Sequence, residues 1–223
     1  CGCGIGFKLI QACLQSDLVN MDLSEFLQLA AVATAADVVP IKDENRVIVH
    51  HGLNILENLE KPGLKTLLEL AGLKGHISVG QLVFSIAPRI NAAGRIGDAN
   101  RAVELLVTDD QDKARLLAKE LDNENKRRQI IQQVVVDEAL LKVNAEADLK
   151  NENALVLANA GWHPGVVGIV ASKIKEEFLE KDQTVRGVII ALENDIKVKR
   201  ALSVTRDIDF YQYKINFDLV KND

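Results

Sequence analysis

A chain of 223 residues can form one large domain or two small ones. Its hydrophobic content of 48% supports a core, and with aromatics at only 4% that core must be mostly Leu, Val, Ile and Ala. A net charge of −5 excludes a generally basic nucleic-acid coat, so any contact with DNA must come from a local patch. Cys1, Cys3 and Cys13 crowd one end in odd number, which argues against a disulfide framework and for a reducing, cytoplasmic setting. Cys1 and Cys3 also lack zinc-knuckle spacing. No signal peptide is legible, and no apolar run is long enough to span a membrane.

Residues 5–15 place Phe7, Leu9, Ile10, Cys13 and Leu14 at helical spacing. The chain opens without Met, inside a glycine turn, which predicts a piece from the middle of a longer protein. Residues 22–31 read as a second helix with Ser24 as its cap. The uncharged run 29–36 suits a buried helix or a buried strand, and Asp37 ends it before Val38-Val39-Pro40. Residues 43–60 predict a helix with Val47, Ile48, Leu53, Ile55, Leu56 and Leu59 turned inward, broken by Pro62-Gly63. A short helix over 64–71 closes at Gly72, and 78–86 forms another short element.

Thr108-Asp109-Asp110-Gln111 fits a capping box that opens a long helix running to residue 143. Leu117, Leu121, Ile131, Val135 and Ala139 share one stripe of it, and the polar run 122–129 interrupts that stripe. A helix polar in its middle predicts a solvent-exposed bridge between two domains, with the boundary at 144–153. Beyond it, 154–158 reads as a strand, 161–165 as a turn, 166–178 as a helix and 185–192 as a second strand. That order implies a parallel pair. Residues 207–213 read as a short helix.

Residues 87–100, Ala-Pro-Arg-Ile-Asn-Ala-Ala-Gly-Arg-Ile-Gly-Asp-Ala-Asn, carry the strongest chemical signal. Small residues let a backbone approach a ligand, and Arg89 and Arg95 offer the bidentate grip that suits phosphate. The alternative is a loop whose arginines pair with nearby acids such as Asp98. Asp37, closing an apolar run, is either a metal ligand or the cap of the next turn. In Trp162-His163-Pro164-Gly165, a helix start offers N–H groups to an anion, His163 adds a donor, and Trp162 either stacks on a base or fills the core. Lys126, Arg127 and Arg128 lie mid-helix, and Lys197, Lys199, Arg200 and Arg206 lie near the end, as solvated faces or as DNA contacts.

Four stretches in order resemble the RecJ family, single-strand-specific 5′→3′ DNA exonucleases of the DHH phosphoesterase superfamily. They are Cys3-Gly-Ile-Gly-Phe-Lys-Leu, Ala30-Ala-Val-Ala-Thr-Ala-Ala-Asp-Val-Val-Pro, the 87–100 segment, and Gly161-Trp-His-Pro-Gly-Val-Val-Gly-Ile-Val-Ala-Ser. The resemblance fades after Val185. It implies an α/β fold: part of a DHH catalytic domain over 1–107, a connecting helix over 108–150, and part of a DHH-associated substrate-binding domain over 151–223. It implies hydrolysis of single-stranded DNA in repair and recombination with two divalent cations, Mn²⁺ or Mg²⁺.

By the same resemblance Asp37 is the metal ligand of the fourth family motif, and Arg89, Asn91 and Arg95 contact phosphates. His163 and Ser203 contact the strand. The family's three upstream metal motifs are not in this sequence, and His50-His51, which follows Val49 instead of an acid, does not replace the Asp-His-His triplet. The metal centre is therefore expected to be incomplete. Near Ser203 the family's Gly-Ser-Ala-Arg-Ser signature is altered: Leu202 stands at its Arg, and Arg200 replaces it only from a shifted register. Two other readings remain: a nuclease-derived binding module without activity, and a DHH phosphoesterase of small nucleotides. The long helix and the Arg89–Arg95 stretch argue against the second.

Overall fold

The structure is a computed structural model that describes residues 1–16, 22–56, 61–146, 157–179, 187–191 and 208–212. Its elements in chain order are α1 (Gly2–Gln15), α2 (Ser24–Ala36), α3 (Asp43–Leu56), α4 (Pro62–Leu70), α5 (Val79–Gln81), a π-turn (Leu82–Ile86), α6 (Ala87–Ile96), α7 (Asn100–Val107), α8 (Gln111–Glu146), α9 (Pro164–Leu179), β1 (Gly187–Ala191) and β2 (Ile208–Gln212). The chain divides into two compact units, residues 1–128 and 129–223, with the division inside α8. Helices and a parallel strand pair are both present, as the α/β class requires.

In the first unit, α1, α2 and α3 meet through Phe7, Ala30, Ala31 and Ile48. The uncharged run 29–36 resolves as helix, and Ala30 and Ala31 are fully buried in it. The main cluster joins Val32 and Ala35 to Leu53 and Leu56 of α3, Leu64 and Leu67 of α4, Leu82 and Ile86 of the π-turn, Leu105 of α7 and Leu121 of α8. Two glycines set how closely these helices approach. A Cβ on Gly52 would overlap the side chain of Ala31, so α2 and α3 pack backbone to backbone there. A Cβ on Gly63 would overlap the Leu105 carbonyl, which fixes α4 against α7.

Several local expectations are corrected. The N-cap position of α2 is Leu23, not Ser24, and it is Asp22 that accepts the Ser24 backbone N–H, at 3.0 Å. Val47 is 56% exposed instead of turned inward. Residues 57–60, including Leu59, lie outside the described residues. Pro62 starts α4, where a missing N–H costs nothing. Gly72, at φ +73°, ends it, with the Leu73 N–H returning to the Leu68 carbonyl in a Schellman arrangement. At the start of α8, Asp110 and not Thr108 is the cap: its carboxylate accepts the N–H groups of Asp112 (2.8 Å) and Lys113 (3.0 Å). Gln111, cast as the far side of a capping box, instead donates to the Thr66 hydroxyl.

In the second unit, Val135, Val136, Ala139 and Val143 of α8 pack on Val166, Val170 and Ile174 of α9. Leu157 and Trp162 close over this cluster. Strands β1 and β2 pair in parallel, with Gly187 opposite Ile208 and Ala191 opposite Gln212. Residues 208–212 are therefore a strand, not the expected helix. The alternation Ile208, Asp209, Phe210 and the aromatic Tyr211 suit a pleated edge better than a helical stripe. The parallel partner of β1 is this strand. Of the strand expected at 154–158, Leu157 and Ala158 are not in a strand, and 154–156 lie outside the described residues. No helix among the described residues is long and apolar enough to cross a membrane.

The glycine contacts make a direct test. Gly63→Ala should lower the urea midpoint of the helical circular-dichroism signal, with a stability loss of about 2 kcal/mol or more from overpacking. Gly6→Ala, on α1 where nothing lies within 4 Å of the added Cβ, should leave it unchanged or raise it by up to about 1 kcal/mol.

Candidate nucleic-acid interface

The arginine-bearing segment is helix, not loop, and its start is unusual. Pro88 has no N–H to give the carbonyl four residues back, and its ring needs room in the preceding turn. The π-turn accommodates it: the Ala87 N–H reaches back five residues to the Leu82 carbonyl, widening the backbone just before Pro88. The helix that follows carries Arg89, Asn91 and Arg95.

Arg89 pairs with Asp122 of α8, not with Asp98. Its Nε donates to Asp122 Oδ1 at 2.8 Å, and its Nη1 donates to the Ser85 carbonyl one turn earlier. The second Asp122 oxygen receives the Lys126 ammonium at 2.7 Å. Asp122 is only 6% exposed. Burial pushes its carboxyl up. The Lys126 hydrogen bond, the charge and hydrogen bond of Arg89 and the charge of Lys126 outweigh that and hold it below the usual carboxylate range.

The polar middle of α8 is thus not simply a solvated bridge. Asp122 and Asn125 are buried, while Asn123, Lys126 and Arg127 are exposed. Asn125 Oδ1 accepts from Arg128 at 2.9 Å. Burial lowers the Arg95 guanidinium from its ordinary value; for Arg128, burial acts first and the Arg95 charge adds to it. Arg89, Arg95, Lys126 and Arg128 therefore concentrate positive charge on α6 and α8. Arg101 of α7 pairs with Glu124, whose carboxylate occupies the space a Cβ on Gly97 would need. Asn91 is exposed on α6.

Sequence reasoning missed Asp122, Asn125 and the Arg101–Glu124 pair. A signal was present. Asp122 follows Ala118 by four and Asn125 follows Leu121 by four, so both occupy the buried stripe of an amphipathic helix. A polar residue at a core register implies a buried partner.

Asp37 ends α2 with extended backbone and accepts the Val38 N–H at 2.8 Å. Among the described residues, no three of His, Cys, Asp and Glu are grouped to hold a metal ion. These residues do not fit a two-metal centre, which needs several carboxylate or imidazole donors around each cation. His50 and His51 sit edge to face on the exposed side of α3.

In the second unit, the His163 Nδ1 accepts the Gly165 N–H at 3.0 Å and caps α9. The ring therefore engages one of the N–H groups offered to an anion. The Trp162 indole donates to Glu138 at 2.8 Å, beside Asn159 at 3.2 Å, and its ring closes the apolar cluster. That is the core-filling alternative. Ser203, with Lys197, Lys199, Arg200 and Arg206, lies outside the described residues.

No protein-family model matches the chain. The chain is 44% identical over 178 residues to the single-stranded-DNA-specific exonuclease RecJ of Bacillus subtilis, covering 79% of this chain and 22% of that protein. It is 40% identical to RecJ of Thermus thermophilus, over 80% of this chain and 26% of that one. A crystal structure of exonuclease RecJ bound to manganese superposes with a TM-score of 0.66 at 40% identity, covering 74% of this chain and 41% of that one. This chain belongs to the RecJ family. It spans 22% and 26% of the length of the two curated RecJ proteins. The segment that RecJ shares holds α6 and α8, and so the basic cluster around Asp122.

The lowered Asp122 pKa fixes a pH dependence. Its folded value lies below its unfolded one, so its stabilisation is complete above about pH 4 and fades as pH falls through the folded value. Asp122→Asn should cost about 2 kcal/mol at pH 7 by urea denaturation. It should also flatten the loss of stability below about pH 4 relative to the unaltered chain.

Proposed function

We propose that this chain carries the strand-binding part of a RecJ-type 5′→3′ exonuclease, whose reaction is metal-dependent hydrolysis of single-stranded DNA in repair and recombination. The observation that carries this reading is the cationic face of α6 and α8, Arg89, Arg95, Lys126 and Arg128, within a chain 44% and 40% identical to the two curated RecJ proteins above over the matched residues. On a chain of net charge −5, a polyanion requires such a local concentration of cations.

In this reading Arg89 and Arg95 contact successive phosphates, with Asn91 beside them on the exposed side of α6. His163 and Ser203 contact the strand from the second unit. Residues 1–107 belong to the DHH catalytic domain, 108–150 form the connecting helix, and 151–223 belong to the substrate-binding domain. Asp37 contributes one carboxylate toward a divalent cation, in line with the manganese in the solved RecJ. Its described surroundings do not complete such a site, so the reading for these residues by themselves is binding of the strand. A reducing, cytoplasmic location fits the three cysteines.

Anisotropy of a 5′-labelled single strand tests this. The chain should bind it in preference to duplex. Arg89→Ala and Arg95→Ala should each weaken binding several-fold and lower the salt slope by about 0.7, the share of one phosphate contact on single strands. Asp37→Ala should leave binding unchanged, yet abolish Mn²⁺-dependent hydrolysis in a RecJ chain that supplies the remaining donors. Failure to bind single strands at low salt, or equal affinity for duplex, would overturn the reading.

A further inference from the structure

Resting on the reading of Arg89 as a phosphate contact, we propose that Asp122 is a positioning residue for DNA binding, an acid whose removal weakens attachment to a polyanion. An acid on a cationic face ordinarily opposes DNA, and deleting one raises affinity. The geometry here points the other way. Asp122 is buried and receives Arg89 through Nε, the base of the guanidinium fork. The Ser85 carbonyl takes one Nη1 hydrogen. Two of the five guanidinium hydrogens are thereby used, which among the described residues leaves three for a ligand.

The plane of the fork is set by two fixed acceptors on different elements, the α8 carboxylate and the π-turn carbonyl. Bidentate recognition of phosphate depends on that plane. The Arg89 side chain is only 18% exposed, so it has little freedom to reorient once a phosphate arrives. Lys126, held on the other Asp122 oxygen, lies on the same carboxylate and keeps its ammonium within reach of solvent at 66% exposure. One acid thus orients Arg89, and its own charge stays covered by Arg89 and Lys126.

The test uses the full chain with the 5′-labelled single strand and four proteins: unaltered, Arg89→Ala, Asp122→Asn and the double variant. Asp122→Asn keeps the shape of the buried side chain, and its folding is checked by circular dichroism. The expected result is about five-fold weaker binding for Asp122→Asn, a salt slope lowered by about 0.7 as for Arg89→Ala, and a double variant no weaker than Arg89→Ala alone. A purely structural role for Asp122 would leave the slope unchanged.

A second readout does not depend on affinity. The Arg89 Nε–H resonance should be protected from solvent exchange in the unaltered chain and should lose that protection in Asp122→Asn. If Arg89→Ala weakens binding while Asp122→Asn binds equally or more tightly, the positioning role is overturned and the phosphate contact stands. If Arg89→Ala binds as the unaltered chain does, the phosphate reading fails and the positioning role fails with it. If Asp122→Asn does not fold, an unprotected Arg89 Nε–H in the unaltered chain overturns the proposal, and a protected one supports it.

Discussion

The carboxylate of Asp122 is the interaction on which the first unit's basic face depends. It joins α6 to α8 across 33 residues of sequence through Arg89, and it anchors Lys126 one turn along its own helix. Removing a charge from water is costly, and here both oxygens are met by cations. Apolar replacements of buried ion pairs are often neutral or stabilising, so stability alone does not account for an acid at this position. Orientation of the arginine does.

Backbone constraints prepare that contact. Pro88 cannot continue the hydrogen-bond ladder, and the π-turn before it absorbs the mismatch while presenting the Ser85 carbonyl to Arg89. Leu82 and Ile86, fully buried in the same turn, lock it to the core. Close approach at Gly52 and Gly63 brings α2, α3, α4 and α7 together beneath it. The site is therefore carried by rigid helices, and its cations are held by partners from neighbouring elements.

The second unit shows the opposite use of residues that look ligand-facing. Trp162 gives its indole N–H to Glu138 and its ring to the Val135–Val166 cluster. His163 turns a ring nitrogen onto the first turn of α9. Each is engaged by its own fold, and an anion at this helix start would meet the His163 ring as well as the backbone. The donors for a metal centre are not grouped among the described residues.

Much of this was legible in the sequence. The helices at α1, α3, α4, α8 and α9 follow from apolar spacing and from Pro and Gly at their ends, which are local signals read within a turn or two. The RecJ resemblance was carried by contiguous motifs, and these survive in one dimension. What periodicity could not settle was decided in three. The run 29–36 is a helix because Ala31 meets Gly52 of α3. Residues 208–212 are a strand because β1 offers a parallel edge. In the segment 87–100, which also allowed a loop, Ala87–Ile96 is helical because a π-turn accommodates Pro88. The sequence by itself determined which residues carry charge and where α1, α3, α4, α8 and α9 run. Only the tertiary structure decided that Arg89 is the partner of the buried Asp122, because that pairing arises from the packing of two helices distant in sequence and leaves no local pattern.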